Sequence, residues 1–251
     1  MCKIVKRGYV PTDEKEFKGE AVNQLYQAGS DLYYLLNRGY PVKGASVFVG
    51  NHFLLSERQR LALARGISPK ESICNRLTKE VKRLPEDSVV NIDGFNTIIT
   101  LEVALSDSYL LKCMDGTIRD MAALRGTYRL IDKTDLAIEL IGQRLEKSNI
   151  GKAVFYLDAP VSNSGRLKQR IMELLESFDF DVEVENINNV DAVLKDLEYV
   201  VTSDAIILDK CKSWVNLNRA IVEEKIAKGT YNNIIDFSEL RNITTCEDRY
   251  E

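Results

Sequence analysis

The chain has 251 residues, of which 45% are hydrophobic and 29% charged, values typical of a globular protein with one large domain or two small ones. It contains no apolar run of about 18 residues, so we expect no transmembrane helix. Residues 1–7 are too few and too polar for a signal peptide, and five scattered cysteines without a CxxC pair argue against a disulfide framework or a zinc knuckle. These features predict a cytoplasmic protein.

The net charge of −4 conceals an uneven distribution of charge. Residues 1–83 contain 15 Lys and Arg against 8 Asp and Glu, whereas the remainder contains 19 against 30. A basic segment joined to an acidic one suggests a polyanion-binding module beside a domain with clustered carboxylates. An ordinary drift of surface charge between two domains explains the same numbers equally well.

The first part of the chain is predicted to be helical. Apolar residues recur at three- and four-residue steps between residues 21 and 36, and two further helices are expected at 42–49 and 56–64. Residues 67–87 lack sustained periodicity and predict a polar connector. We therefore divide the chain into a helical, basic N-terminal domain at 1–84 and an α/β domain at 85–251.

The helical module contains the single histidine of the sequence, His52, together with Arg58 and Arg60. A histidine on its own more often has a structural role than a catalytic one. Arg58 and Arg60 form a basic patch with Arg65, which lies within two turns but not on the same face. This patch could bind RNA phosphates, and it could equally dock against the acidic half of the chain.

The second half alternates between apolar, β-branched segments and amphipathic ones. Strands are predicted at 88–93, 108–114, 152–158, 181–186, 199–203 and 231–236, and helices at 97–106, 134–147, 164–177, 189–197 and 213–228. Such alternation is typical of βαβ units. It predicts a mainly parallel sheet with helices on both faces.

Three of the predicted strands end at or beside an aspartate, namely Asp93, Asp158 and Asp204, and Asp209 follows shortly after the third. The carboxyl ends of parallel strands lie on one edge of a sheet, where ligands bind. Carboxylates are preferred ligands of Mg²⁺ and Mn²⁺, which activate water and stabilise charge on a phosphoryl group. A single aspartate is more often a helix cap or turn residue, but the set favours a metal site. The α/β half has no histidine, which excludes histidine acid–base catalysis there.

Two loops add candidate substrate contacts. The loop at 158–166 leads into a helix and could bind phosphate through Ser162, Asn163, Ser164 and Arg166, although a plain capped helix is an equal alternative. The long polar loop at 114–129 contains Arg119 and Arg125, which could contact substrate phosphates or pair with Asp93. A solvated loop is the alternative there.

The segment Asn91-Ile92-Asp93-Gly94-Phe95-Asn96 resembles the opening strand of the PIN and NYN nuclease superfamily, in which an Asp-Gly-aromatic-Asn turn begins the metal site. Val200-Val201-Thr202-Ser203-Asp204 is similar to the late strand that supplies another metal-binding aspartate, and Asp191 lies where a further acid is common. The resemblance spans about residues 88–210 and implies a PIN-like fold, metal-dependent cleavage of RNA, and a place for Asn96 beside the substrate. The whole chain also resembles an uncharacterised archaeal family that joins a small helical domain to this α/β domain.

The leading hypothesis is a ribonuclease in which Asp93, Asp204 and Asp158 hold Mg²⁺ or Mn²⁺ for in-line attack of water on a phosphodiester. A non-catalytic RNA- or ribosome-binding protein with a degenerate site is the second hypothesis. A nucleotide-binding enzyme that uses the 158–166 loop is the third. RNA is the expected partner in the first two cases, no membrane is expected, and the oligomeric state, including a homodimer, is left open.

Overall fold

The computed structural model describes residues 5–122, 126–226, 231 and 233–243. The first part of this chain is helical, as its periodicity predicts. It contains α1 (Asp13–Glu16), α2 (Gly19–Asn37), α3 (Val42–His52), α4 (Glu57–Gly66) and α5 (Lys70–Lys79). Helix α4 begins with a reciprocal cap, because Ser56 Oγ accepts from the Gln59 amide at 3.1 Å while Gln59 Oε1 accepts from the Ser56 amide at 3.1 Å.

Helix α5 corrects the prediction of a polar connector at 67–87. Its buried face consists of Ile73, Cys74 and Arg76. A charged residue in the middle of the buried stripe hides the apolar period that sequence analysis relies on. The arginine is tolerated there because acidic side chains from the α/β part neutralise it, as described below.

The α/β part of the chain follows directly after α5. Its strands are β1 (Val89–Asp93), β2 (Leu110–Lys112), β3 (Ile118–Arg119), β4 (Lys152–Asp158), β5 (Asp181–Ile187), β6 (Val200–Val201) and β7 (Ile234–Asp236). Its helices are α6 (Gly94–Leu105), α7 (Thr134–Glu146), α8 (Ser164–Leu175), α9 (Val190–Leu194), α10 (Ala205–Lys210) and α11 (Leu217–Ile221), which continues as a π-helix at Val222–Ile226, and a 3₁₀ helix spans Ser238–Ile243. None of the helices in the described part of the chain is long and apolar enough to cross a bilayer.

Four strands form a fully parallel sheet in the order β5-β4-β1-β6. Successive side chains of β4 point to opposite faces of this sheet. Phe155 and Leu157 join the large core, which also contains residues of α6, α7 and α8. Tyr156 packs on the other face against the smaller core around Trp214, which contains residues of α9 and α10. The predicted α/β architecture, a parallel sheet with helices on both faces, is confirmed.

The remaining three strands form a second sheet, which corrects the expectation of one sheet. Its order is β3-β2-β7, with β2 antiparallel to β3 and parallel to β7. Leu111, Ile235 and Phe237 of this sheet region share a core with Leu25 and Leu63 of the helical part. The second sheet therefore separates from the first because it packs against the N-terminal helices.

The strand order places a crevice beside β1. The chain runs from β1 to β4 and β5 on one side and then crosses to β6 on the other side of β1. In open parallel sheets, the carboxyl ends of the two strands at such a reversal border a natural ligand-binding crevice. Here these ends are Asp93 of β1 and the segment that follows Val201 of β6.

Candidate functional site

The carboxyl ends of β1 and β6 are joined by side chains. The hydroxyl of Thr202, directly after β6, donates to Asp93 Oδ2 at 2.8 Å and accepts from the Asp204 amide at 3.0 Å. Asp204 in turn caps α10, because its Oδ1 accepts from the amides of Ile206 at 2.7 Å and Ile207 at 3.3 Å. The two aspartates are thereby held near the carboxyl ends of the neighbouring strands β1 and β6.

Asp93 is the most perturbed acid of this group. Its residue is only 8% exposed, and burial raises the pKa of the carboxyl from 3.8 to about 7. The hydrogen bond from Thr202 and a backbone hydrogen bond from Asn96 oppose this rise, while the negative charges of Asp204 and Asp158 add to it. Near neutral pH the carboxyl of Asp93 is therefore balanced between its protonated and charged forms.

Asp158 and Asp191 complete the acidic cluster, a term used here for Asp93, Asp158, Asp191 and Asp204. Asp158 is the last residue of β4 and is half-buried, and Asp191 lies in the first turn of α9. The pKa of Asp191 is raised by burial and then by the charges of Asp204 and Asp158. The charges of Asp158 and Asp204 therefore act on both Asp93 and Asp191 at the carboxyl edge of the sheet.

The donor chemistry of this cluster suits a hard divalent cation. Among the residues that the structure describes, however, no group of three or more His, Cys, Asp or Glu side chains lies close enough together to hold a metal ion. Mg²⁺ commonly binds through one or two carboxylates and retains several waters. Within the described part of the chain, the side-chain hydrogen-bond partner of the Asp93 carboxyl is the neutral Thr202 hydroxyl. A buried carboxylate without a cationic neighbour is a fitting ligand for such an ion.

Asn96 positions the segment before Asp204. Its Oδ1 accepts from the Ser203 amide at 2.8 Å and from Ser203 Oγ at 2.9 Å. The residue lies in the first turn of α6, so this contact connects the helix after β1 to the loop after β6. The predicted contact of Asn96 with the substrate stays a prediction. Its structural role is to hold Ser203 in place.

Asp209 has a different partner from the acidic cluster. Its two carboxylate oxygens accept from Arg76 Nε at 2.6 Å and Arg76 Nη2 at 2.9 Å. Arg76 also donates from Nη1 to Asp115 at 2.7 Å. The structure thus uses Asp209 to neutralise a buried arginine of α5, and both of its oxygens are occupied.

Arg119 belongs to the same ion-pair network. It donates to Asp115 at 2.6 Å, to the Ser203 carbonyl at 2.7 Å and to the Arg65 carbonyl. Burial tends to raise the pKa of Asp115, but Arg119 and Arg76 outweigh it and lower this pKa to about 2. The predicted pairing of Arg119 with Asp93 is wrong, because Asp115 takes its place; Arg125 lies outside the described residues.

The 158–166 loop is occupied by contacts within the protein. Ser162 Oγ accepts from the Tyr128 amide at 2.9 Å, and Asn163 Nδ2 donates to the Tyr128 carbonyl at 2.6 Å. Ser164 Oγ donates to the Ala159 carbonyl at 3.4 Å. Ser162 and Asn163 therefore hold the neighbouring loop at Tyr128, whereas Ser164 closes its own loop.

Arg166 follows them in the first turn of α8 and is exposed. The contact between Arg166 and phosphate stays a prediction.

Arg58 is an internal anchor of the helical part. It donates from Nε and Nη2 to the two oxygens of Asp13, each at 2.9 Å, and to the Gly8 carbonyl at 2.9 Å. A further bond reaches the Met121 carbonyl, which lies beyond the helical region. The docking alternative is therefore the one that these contacts support.

Arg60 and His52 differ in their surroundings. Arg60 donates to the carbonyls of Leu55 at 2.8 Å and Gly50 at 2.7 Å, so its guanidinium closes the end of α3. His52 is exposed and meets Phe53 edge to face, with 5.0 Å between the ring centroids. The structure does not join these two residues and Arg58 into one free basic surface.

The sequence does not single out two residues that shape the candidate site, Thr202 and Asp115. A threonine after a strand has no distinctive pattern of its own, so nothing local points to Thr202. Asp115 lies in an Asp-Gly turn, and its role depends on Arg76, which is 39 residues away in sequence. A buried arginine on an otherwise polar helix is the signal that could have pointed to such a partner.

Fold and site together define an α/β protein with aspartates at the switch point of a parallel sheet. Residues 82–220 match the family described as "Domain of unknown function (DUF5616)", and residues 24–79 match "Protein of unknown function (DUF434)". The chain belongs to the first of these families. It is 39% identical over 187 residues to "Uncharacterized protein MJ0935" of Methanocaldococcus jannaschii, an alignment that covers 73% of this chain and 88% of the relative. The expected likeness to an uncharacterised archaeal family is confirmed, and no solved structure matches.

Proposed function

We propose that this protein is a ribonuclease of PIN-like fold that depends on Mg²⁺ or Mn²⁺. The observation that supports it most is the state of Asp93, a buried carboxyl at the switch point whose pKa is raised to about 7 by burial and by Asp204 and Asp158. Such an arrangement is unfavourable for folding alone, since charged groups in a buried site require a partner. A divalent cation between the strand ends would supply that partner.

Asp93 and Asp204 are the two residues that would hold the ion. Asp93 is the last residue of β1, and Asp204 lies shortly after β6, the parallel strand beside β1, where it caps α10. The spacing of about 4.8 Å between neighbouring strands suits two oxygens that share one cation. Thr202 fixes the side chain of Asp93, and the cap of α10 fixes that of Asp204. Both ligands are therefore pre-oriented by neutral groups that leave their negative charge available.

When bound, the metal would lower the pKa of a water molecule and stabilise charge on a phosphoryl group. The protein's own side chains bind the ion and orient the groups around it. Asp158, half-buried at the end of the neighbouring strand β4, adds a further carboxylate to the edge of the cluster. The absence of histidine from the α/β half leaves carboxylates as the natural acid–base groups of the cluster.

The two alternatives receive less support from the contacts. A non-catalytic RNA-binding protein would need a free basic surface, whereas Arg58 and Arg60 are engaged within the protein. A nucleotide-binding enzyme built on the 158–166 loop would need an open cradle, whereas Ser162 and Asn163 hold the backbone of Tyr128.

The test is cleavage of a mixed RNA pool with Mn²⁺ by the wild type and by Asp93→Asn, Asp204→Asn and Asp135→Asn. Asp135 is a matched control, since it pairs with Arg170 and is not part of the acidic cluster. We expect cleavage by the wild type and the control and none by the other two. Equal activity in all four proteins overturns the proposal, as does an inactive wild type, which would favour the binding protein.

A further inference from the structure

A cavity of 310 Å³ lies directly beside the acidic cluster. It is lined by Arg65, Asn96, Arg119, Asp120, Ser203 and Asp204, with three apolar neighbours. Its volume is at the lower end of the roughly 300–1,000 Å³ range of small-ligand sites. Because Asp204 belongs to both, a group bound in this cavity would touch the proposed metal centre.

The lining combines the two parts of the chain. Arg65 lies in the last turn of α4 in the helical part, whereas Asn96 and Asp204 belong to the α/β part. The segments that match the two families divide in the same way, with Arg65 in 24–79 and the aspartates in 82–220. The helical part therefore contributes a cationic side chain to the edge of the site.

The two arginines of the cavity differ in availability. Arg119 is 7% exposed and uses Nε, Nη1 and Nη2 for protein acceptors. Arg65 is 35% exposed and donates from Nη1 to the Asp120 carbonyl, with an Asp120 carboxylate oxygen at 3.5 Å. A guanidinium has five N–H donors, and Nε and Nη2 of Arg65 have no hydrogen-bond partner among the described residues.

We propose that this cavity binds a phosphate of the RNA strand next to the scissile one, and that Arg65 is the residue that contacts it. The inference rests on the proposed function, since an acidic centre repels a polyanion unless a cation lies nearby. A planar guanidinium matches phosphate in a bidentate manner, which an ammonium does not. Arg65 is the half-exposed cation of the cavity with free donors, so it fits this role.

The experiment measures binding of a short fluorescent single-stranded RNA over a range of KCl concentrations, with Ca²⁺ in place of Mg²⁺ or Mn²⁺. The variants are Arg65→Gln, Arg65→Lys and the control Arg38→Gln. Arg38 is an exposed arginine of the same helical part that stacks on Tyr34 and does not line the cavity. Removing one ionic interaction with a phosphate of single-stranded RNA lowers the salt slope by about 0.7.

For Arg65→Gln we expect about tenfold weaker binding and a salt slope lower by about 0.7. Arg65→Lys should keep the slope with weaker binding, and Arg38→Gln should match the wild type. An Arg65→Gln slope equal to that of the wild type overturns the proposal. Where cleavage is measurable, Arg65→Gln should raise KM far more than it lowers kcat.

A second measurement needs no variant. RNA should protect Arg65 of the wild type from modification by phenylglyoxal, which mass spectrometry detects, whereas Arg38 should stay reactive. Equal modification of Arg65 with and without RNA overturns the proposal. The two proposals fail separately. Cleavage by the wild type without an effect at Arg65 removes the subsite alone, whereas an Arg65 effect without cleavage keeps the RNA site and removes the nuclease.

Discussion

The Thr202 hydroxyl donates a hydrogen bond of 2.8 Å to the Asp93 carboxyl across two neighbouring strands. The same oxygen accepts from the Asp204 amide at 3.0 Å. One neutral side chain therefore connects the Asp93 carboxyl to the backbone of Asp204, the two residues that we expect to share a cation. It also stabilises the charged form of Asp93 against burial, which otherwise favours the protonated form.

The first prediction concerns the stability of Asp93→Asn without metal. In the folded protein Asp93 keeps its proton up to about pH 7, whereas in the unfolded chain it loses the proton near 3.8. The wild type therefore loses stability as pH rises through this window, by on the order of 4 kcal/mol at about 1.4 kcal/mol per pKa unit. The amide of the variant does not ionise, so Asp93→Asn should become the more stable protein as the pH rises above about 4, with the full difference reached above about pH 7.

Urea unfolding in EDTA from about pH 4 to about pH 8 measures this difference. The comparison between wild type and variant cancels the titration of other groups. We expect the two free energies of unfolding to converge near pH 4 and to separate as the pH rises. A constant difference over the whole range would show that Asp93 does not titrate with a raised pKa.

The second prediction separates two roles of Asp204. Asparagine can still cap α10, so Asp204→Asn should keep the stability of the fold, whereas Asp204→Ala should lose about 0.5–2 kcal/mol. Both variants should lose the increase in melting temperature that Mn²⁺ gives the wild type by mass action. Thermal melts with and without Mn²⁺ measure both effects. A full Mn²⁺ shift in Asp204→Asn would remove Asp204 from the metal site.

Much of the fold was predictable because periodicity and strand ends are local signals. The parallel strands β1, β4 and β5 agree closely with the predicted 88–93, 152–158 and 181–186. Asp93 and Asp204 could be placed on one edge because parallel strands share an edge. The sequence does not reveal that β6 is the direct neighbour of β1, and only the structure shows it.

The unpredicted parts depend on contacts that are distant in sequence. Helix α5 was missed because its buried Arg76 interrupts the apolar stripe, and its neutralisation by Asp115 and Asp209 comes from far along the chain. The second sheet was missed because β2 and β7 are more than 100 residues apart. Its strands are apolar like those of the first sheet, so composition alone does not divide them.

The third prediction concerns Asp115→Asn. This carboxylate lies between Arg76 and Arg119, both buried, and breaking a buried ion pair from one side costs about 3–5 kcal/mol. The pKa of Asp115 is lowered from 3.8 to about 2, so its contribution is present above about pH 4 and is lost as the pH falls toward 2. The difference between wild type and variant should therefore shrink in acid.

Denaturant unfolding at neutral and acid pH measures this difference, with Asp135→Asn as the control. Asp135 forms an ion pair with the partly exposed Arg170, which should contribute less than about 1 kcal/mol. Because Arg119 also holds the Ser203 carbonyl, Asp115→Asn should weaken the Mn²⁺ shift as well. A loss of stability equal to that of the control would refute the buried network as a source of stability.

The last prediction decides between RNA contact and docking for Arg58 and Arg60. Arg58→Ala leaves Asp13, which is only 2% exposed, without its cation, so we expect a loss of about 3–5 kcal/mol. Arg60→Ala removes bonds to two carbonyls and should cost about 1–2 kcal/mol. In both variants the salt slope of RNA binding should equal that of the wild type, in contrast to Arg65→Gln.

Denaturant unfolding and RNA binding over a range of KCl concentrations measure the two effects on the same preparations. Arg58→Lys serves where Arg58→Ala does not fold, since it keeps the charge beside Asp13 but loses the paired hydrogen bonds. If Arg58→Ala or Arg60→Ala is stable and its salt slope of RNA binding falls by about 0.7, that arginine contacts RNA. A destabilised protein with an unchanged slope places Arg58 in the docking of the helical part and Arg60 at the end of α3, because their charges are then satisfied by the protein and unavailable to phosphates.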